Sequence, residues 1–258
     1  MHGSLARRFF SMLFLLFALT LLLLVIGPGL VMATGRVDVR AHWSTANRGA
    51  TGLAPDPDTE RGAVVQVYAA RTLGWRGAFG VHSWVSVKPA DARRWTTYEV
   101  VGWRIYRGGG DAVVESGRAP DGRWFGNEPV LLTELRGEAA AAAIPQIERA
   151  VAEYPWRGRY TVWPGPNSNT FVAWIGRKVP ALRMELPANA IGKDWLGDTA
   201  LFALTPSRTG VQVSFYGLAG LTVGWVEGLE FNLLALNFGI DPLDLAIKLP
   251  GWGRIGWR

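Results

Sequence analysis

The pattern of hydrophobic and polar positions is dominated by one long apolar run near the start of the chain. Residues 9–35 carry no charge, and Arg7 and Arg8 stand immediately before them. About 20 apolar residues suffice to cross a bilayer, whereas the apolar part of a secretory signal is about 7–15 residues long. The run predicts a retained membrane anchor over residues 1–35, although Val31 and Ala33 also stand at a spacing that a signal peptidase accepts. In both cases the basic pair holds the N-terminus in the cytoplasm and sends the rest across. The expectation is a single-pass inner-membrane protein with its main domain in the periplasm.

Beyond the anchor, residues 36–62 are rich in Gly, Pro, Asp and Thr and read as an extended linker. Asp56, Asp58 and Glu60 mimic the start of a calcium loop, but the sixth position is Arg61 where such a loop needs Gly, so no metal site is expected. Three runs of β-branched and aromatic residues follow, at 63–70, 80–87 and 95–105, and predict three strands. Residues 108–110, all Gly, supply a turn. Ile144, Ile147, Val151 and Tyr154 recur at helical spacing and predict a helix over 137–154, kinked or restarted at Pro145. A second helix is predicted over 168–179, stopped by Pro180.

From residue 211 the pattern changes to short apolar runs broken by Gly, none of which reaches the length of a second span without a charge such as Glu227 or Glu230 intervening. These read as strands. The division expected is an anchor (1–35), a linker (36–62), an α+β core (63–195) and a β-rich C-terminal extension (196–258). Runs as apolar as the one holding Phe231, Leu234, Leu236 and Phe238 are seldom left exposed to water. They are expected to pack on the domain or rest at the membrane interface.

Composition narrows the chemistry. A hydrophobic share of 49% over 258 residues is ample for a core, and the absence of cysteine rules out disulfides, thiolate catalysis and cysteine-bound zinc. The net charge of +6 is not gathered into a basic patch, so nucleic acid is not an expected partner. Gly251, Gly253 and Gly256 have dinucleotide-fingerprint spacing but do not open a helix inside a βαβ unit, and no cofactor is expected. The thirteen tryptophans read mostly as core anchors.

Two segments carry candidate chemistry. His82 is the one histidine in a predicted strand of the exported part, since His2 precedes the anchor and His42 lies in the linker. Asn167, Ser168 and Asn169 stand at a predicted helix start behind a Pro-Gly-Pro turn. Ser and Asn cap helices by accepting hydrogen bonds from first-turn amides, and a helix start is also the usual seat of an activated nucleophile.

The run Asn167-Ser168-Asn169-Thr170-Phe171-Val172 resembles the Asn-Cys-x-x-Phe-Val nucleophile motif of circularly permuted papain-like enzymes, the lecithin:retinol acyltransferase-like branch of the NlpC-type superfamily. The chain as a whole is also similar to a bacterial membrane-anchored family built on a domain of unknown function, with H-S-W and P-N-S-N-T-F signatures. The papain-like resemblance implies an antiparallel sheet with packed helices, a strand histidine (His82), a polar partner on the next strand (Glu99, or less well Thr97) and a nucleophile last, at a helix start (Ser168). It implies that Asn167 and Asn169, with first-turn amides, stabilise an oxyanion, and that Asn167, Asn169, Thr170 and Trp84 line a cleft.

Serine in place of cysteine changes the requirement, because a helix dipole alone does not ionise a hydroxyl and His82 has to act as a general base. Two readings follow. In one, a papain-like cleft binds a cell-wall peptide or a lipid acyl chain without catalysis, as expected of a relative that has lost its thiol. In the other, Ser168 and His82 form a serine-type amide or ester hydrolase or acyltransferase.

Overall fold

The computed structural model describes residues 2–256; Met1, Trp257 and Arg258, where the expected anchor and extension begin and end, lie outside it, as do the side chains of residues 2–6. Helix α1 (His2–Ala33) opens the chain. Within it, Arg7–Ala33 is long and apolar enough to cross a membrane, a property that a signal sequence near an N-terminus shares. The segment that follows has no helix or strand, yet it is tied to the protein. Asp121 accepts hydrogen bonds from the backbone amides of Thr51 (3.1 Å) and Leu53 (2.7 Å).

The core is a five-stranded antiparallel sheet of β1 (Val64–Arg71), β2 (Val81–Lys88), β3 (Thr96–Val100), β4 (Val113–Ser116) and β5 (Val130–Arg136), in the order β4-β3-β2-β1-β5. The three predicted strands are its centre. The third ends five residues early because the chain turns into the short helix α2 (Gly102–Tyr106). Helices α3 (Gly137–Ala152) and α4 (Ser168–Lys178) cover one face. Alternation decides which residues meet them: Val81, Val85 and Val87 of β2 join Ile144 and Ile147 of α3 and Phe171 and Val172 of α4 in the core. Helix α3 runs continuously through Pro145.

The C-terminal region is a second sheet, an antiparallel meander of seven strands: β6 (Phe202–Leu204), β7 (Gly210–Phe215), β8 (Ala219–Gly224), β9 (Gly228–Leu233), β10 (Leu236–Asp241), β11 (Ala246–Leu249) and β12 (Gly253–Ile255). Its two faces are reversed relative to an ordinary soluble sheet, which hides its apolar side. Gln212, Thr222, Glu230, Asn237 and Lys248 are all buried, facing the core domain. There Lys248 Nζ lies 2.8 Å from Glu230 and 2.5 Å from Glu185, and Lys193 Nζ lies 2.5 Å from Glu230. Glu227 and Glu230, which interrupt the apolar runs in the sequence, are both buried.

Helix α1 docks on this sheet and on the short 3-10 helix Gly74–Ala78 that follows β1. Its buried positions, Leu24, Gly27, Pro28 and Val31, form one helical stripe. A Cβ on Gly27 would stand 1.9 Å from the Pro250 carbonyl oxygen, so only glycine permits the approach. Arg36, the first charge after the apolar run, lies over the Trp252 ring at 3.9 Å from its centroid.

Candidate functional site

A cavity of about 1080 Å³ opens where the C-terminal ends of β1 and β3, the start of β2, the start of α4 and the β9–β10 turn come together; His82, Glu99 and Ser168 all line it. The site begins with a gap in the sheet. Strands β2 and β3 are paired only from Val87↔Thr96 to Val85↔Tyr98, and beyond that the His82 and Glu99 side chains bridge them. His82 Nε2 lies 2.8 Å from Glu99 Oε2. Arg118, in the loop after β4, donates from Nε to Glu99 Oε1 at 2.9 Å.

Burial pushes the His82 imidazole below the usual histidine range, against the opposing pull of Glu99. Burial alone would raise Glu99, but the hydrogen bond and charge of His82 together with Arg118 bring its carboxyl below the usual range. The pair therefore rests as neutral imidazole and carboxylate at neutral pH. An ionised Glu99 accepts the Nε2 proton, which leaves the lone pair at Nδ1. The ring is held flat: Trp124 stacks on it with centroids 3.5 Å apart and planes 9° apart, and Trp84 lies behind at 5.8 Å.

Ser168 is the first residue of α4. Asn167 caps the helix, its Oδ1 accepting from the amides of Asn169 (3.0 Å) and Thr170 (3.2 Å), while the Thr170 hydroxyl accepts from the Asn167 amide at 3.1 Å. The Asn167 side-chain amide donates to the Val162 and Ile191 carbonyls. That of Asn169 donates to the Val81 and Ile191 carbonyls. All the amide hydrogens of both side chains are thus committed to tying loops, and the Asn169 and Thr170 backbone amides to the cap. Neither asparagine side chain is free to donate to an oxyanion, contrary to the sequence expectation.

His82 and Ser168 share the cavity, yet no hydrogen bond joins them among the described residues. The reason lies in the alternation of β2. Ser83, not His82, faces α4, donating to Asn169 Oδ1 at 2.8 Å, and His82 points to the opposite side of the strand with Glu99. The two approach each other only around the open end of the sheet.

Of the other expected cleft residues, Asn167 and Asn169 line the cavity, whereas Thr170 and Trp84 do not. Trp84 is fully buried, stacked on Tyr68 at 5.7 Å and donating from its indole nitrogen to the Pro120 carbonyl at 2.7 Å. Thr97, the weaker alternative to Glu99, pairs with Ser86 at 2.9 Å instead. Sequence reading missed the aromatic wall made by Trp75, Trp103, Trp124, Phe125 and Trp163. It also missed Arg118. The one available signal was the crowding of tryptophans beside turn glycines, where a core anchor is out of place.

The wall is apolar with a cationic rim. Arg48, Arg76 and Arg107 line it without a carboxylate partner among the described residues. Such an arrangement accommodates a long apolar group and attracts a negative one. Residues 62–195 match the model of a family described as protein of unknown function, DUF3750. No curated protein and no solved structure matches the chain. The family match spans the five-stranded sheet, α3, α4 and every residue of the His82–Glu99–Ser168 constellation; with more than half of its length accounted for in this way, the chain belongs to the DUF3750 family.

Proposed function

We propose that this is a periplasmic protein held in the inner membrane by a retained α1, and that its cavity binds an amphiphile with an apolar chain and an anionic head without transforming it. The observation that carries the reading is the wall of the cavity: tryptophans and phenylalanines inside, unpaired arginines at the rim, and a volume of about 1080 Å³. A lipid acyl chain fits this chemistry better than a cell-wall peptide, which needs an array of exposed hydrogen-bonding groups. The committed amides of Asn167 and Asn169 leave few such groups. Retention of α1 is supported by the Gly27–Pro250 approach, which makes the helix a packed part of the fold.

The test is quenching of tryptophan fluorescence in detergent-solubilised full-length protein by a fatty acid carrying a nitroxide on its chain. Saturable quenching, reduced when Trp103→Leu and Arg107→Gln are introduced, is the expected result. Linear, unsaturable quenching equal in all three proteins would dismiss the binding site.

A second reading rests on a separate observation, the neutral imidazole backed by Glu99 and Arg118 in the same cavity as Ser168. It is the papain-like plan with serine as nucleophile, and it requires the Ser168 hydroxyl to swing toward His82 Nδ1, as apo sites often do only on substrate binding. A fluorophosphonate probe that labels wild type but neither Ser168→Ala nor His82→Ala would establish this reading over simple binding. Absence of labelling leaves binding as the function.

A further inference from the structure

The outer face of the C-terminal sheet is apolar from edge to edge. One cross-strand row runs from Leu204 on β6 through Val211, Val223, Leu229 and Ile240 to Ile255 on β12, each residue or its neighbour in register with the next. A second runs through Phe202, Val213, Leu221, Phe231 and Phe238. Phe202 is 73% exposed, Val211 58% and Ile247 54%. The strand positions facing outward hold no charged residue, while the inward ones hold Glu230 and Lys248. In water this polarity is inverted, and a patch of this extent marks a contact surface.

We infer that this face lies on the lipid bilayer, in the leaflet where α1 emerges. The inference rests on the retained-anchor reading above. Three observations choose lipid as the occupant. First, α1 packs against β10, β11 and the turn at 250–252 along its own apolar stretch. The contact from Leu24 to Val31 spans about 10 Å at 1.5 Å per residue, so the sheet stands beside the end of the span and reaches the depth of interfacial insertion, about 5–10 Å. Second, Arg36 lies over Trp252, placing a cation and an indole, the groups that favour the headgroup layer, at the junction of helix and sheet.

Third, the geometry suits a sheet lying face down. An open sheet edge is not tolerated within hydrocarbon because its amides and carbonyls go unpaired. Lying on its face, the meander keeps both edges at headgroup level, and both edge strands, β6 and β12, are only three residues long. The buried ion pairs of the inner face are then the ordinary consequence of turning a sheet over: its polar side is covered by protein and its apolar side by lipid. The β9–β10 turn, whose Leu234 and Leu236 line the cavity, comes to the same surface, so a ligand's chain can pass between bilayer and cavity without crossing water.

The absence of cysteine in the chain permits a direct test. Single nitroxide labels at Val223→Cys and Ile240→Cys, with Leu19→Cys in α1 and Asp91→Cys in the β2–β3 turn as references, are placed in the full-length protein in vesicles of phosphatidylethanolamine and phosphatidylglycerol. Collision with oxygen, which concentrates in lipid, is compared with collision with a water-soluble nickel chelate. The expected result is a several-fold higher oxygen-to-nickel ratio at Val223 and Ile240 than at Asp91, matching Leu19. Nickel preference at Val223 and Ile240 overturns the inference. So does shielding from both reagents, which means that a second copy or another protein covers the face. Nickel preference at Leu19, with oxygen preference kept at Val223 and Ile240, overturns the anchor reading and the leaflet assignment that rests on it, and is thereby told apart from failure of the sheet's own lipid contact.

Discussion

His82 Nε2 and Glu99 Oε2 meet at 2.8 Å across the point where β2 and β3 have ceased to pair. The contact closes a hole in the sheet with a buried acid–base pair whose resting form, neutral imidazole beside carboxylate, is set by burial and by Arg118.

This pairing gives stability a defined pH dependence. His82 is lowered from 6.5 by burial, so below about that pH the unfolded chain takes up a proton that the folded one resists. Its contribution is complete above 6.5 and is lost as pH falls toward the folded value. Glu99, also lowered, contributes above its ordinary 4.5 and loses that contribution as pH falls through its depressed value. Urea midpoints of the full-length protein are expected to be flat between about pH 7 and 8 and to fall below 6.5. In His82→Asn the fall between 6.5 and 4.5 should be shallower; an unchanged slope would assign it to other groups.

Asn167 and Ser168, adjacent in sequence, should behave oppositely. Asn167→Ala removes a helix cap and two bonds to loop carbonyls, an expected loss of about 2–4 kcal/mol in chemical denaturation. Ser168→Ala removes a hydroxyl with no described protein partner and should change stability by less than about 1 kcal/mol. A costly Ser168→Ala would mean that the hydroxyl is structural.

Gly192 faces the same cap. Its φ is +100°, and a Cβ there would stand 2.3 Å from Asn167 Oδ1. Gly192→Ala is therefore expected to cost about 2 kcal/mol or more, from strain and a displaced cap together, read as a lowered thermal midpoint.

The inner ion network should be fragile to single removals. Lys248→Met leaves Glu185 and Glu230 short of a cation in a buried site, with an expected loss of about 3–5 kcal/mol. Combining it with Glu230→Gln should recover part of that loss, and a strictly additive double mutant would show that the two side chains are not coupled.

Much of the core was legible because its alternation and its function agree. The runs at 63–70 and 80–87 became β1 and β2, the helix start at Ser168 was marked by Asn167 and the preceding prolines, and Glu99 was named as a partner for His82 by the papain-like resemblance. Alternation states that a strand has two faces without saying which one the protein covers. In the C-terminal meander the covered side carries Glu230 and Lys248 and the exposed side Phe231 and Ile247, an assignment that the pattern of the strands does not decide. The papain-like resemblance put Trp84 in a cleft, whereas it is fully buried beside His82 and does not line the cavity. Trp124 and Arg118 lie in a loop with no period, and nothing local announces that the loop folds over the imidazole.

The docking of Gly27 against the Pro250 carbonyl joins the opening segment of the chain to its closing one. The same helix also meets the core domain, where Val31 shares a buried cluster with Ala78. A helix gripped at once by the core domain and by the meander cannot turn or tilt independently of either, so α1 acts as a splint between the two.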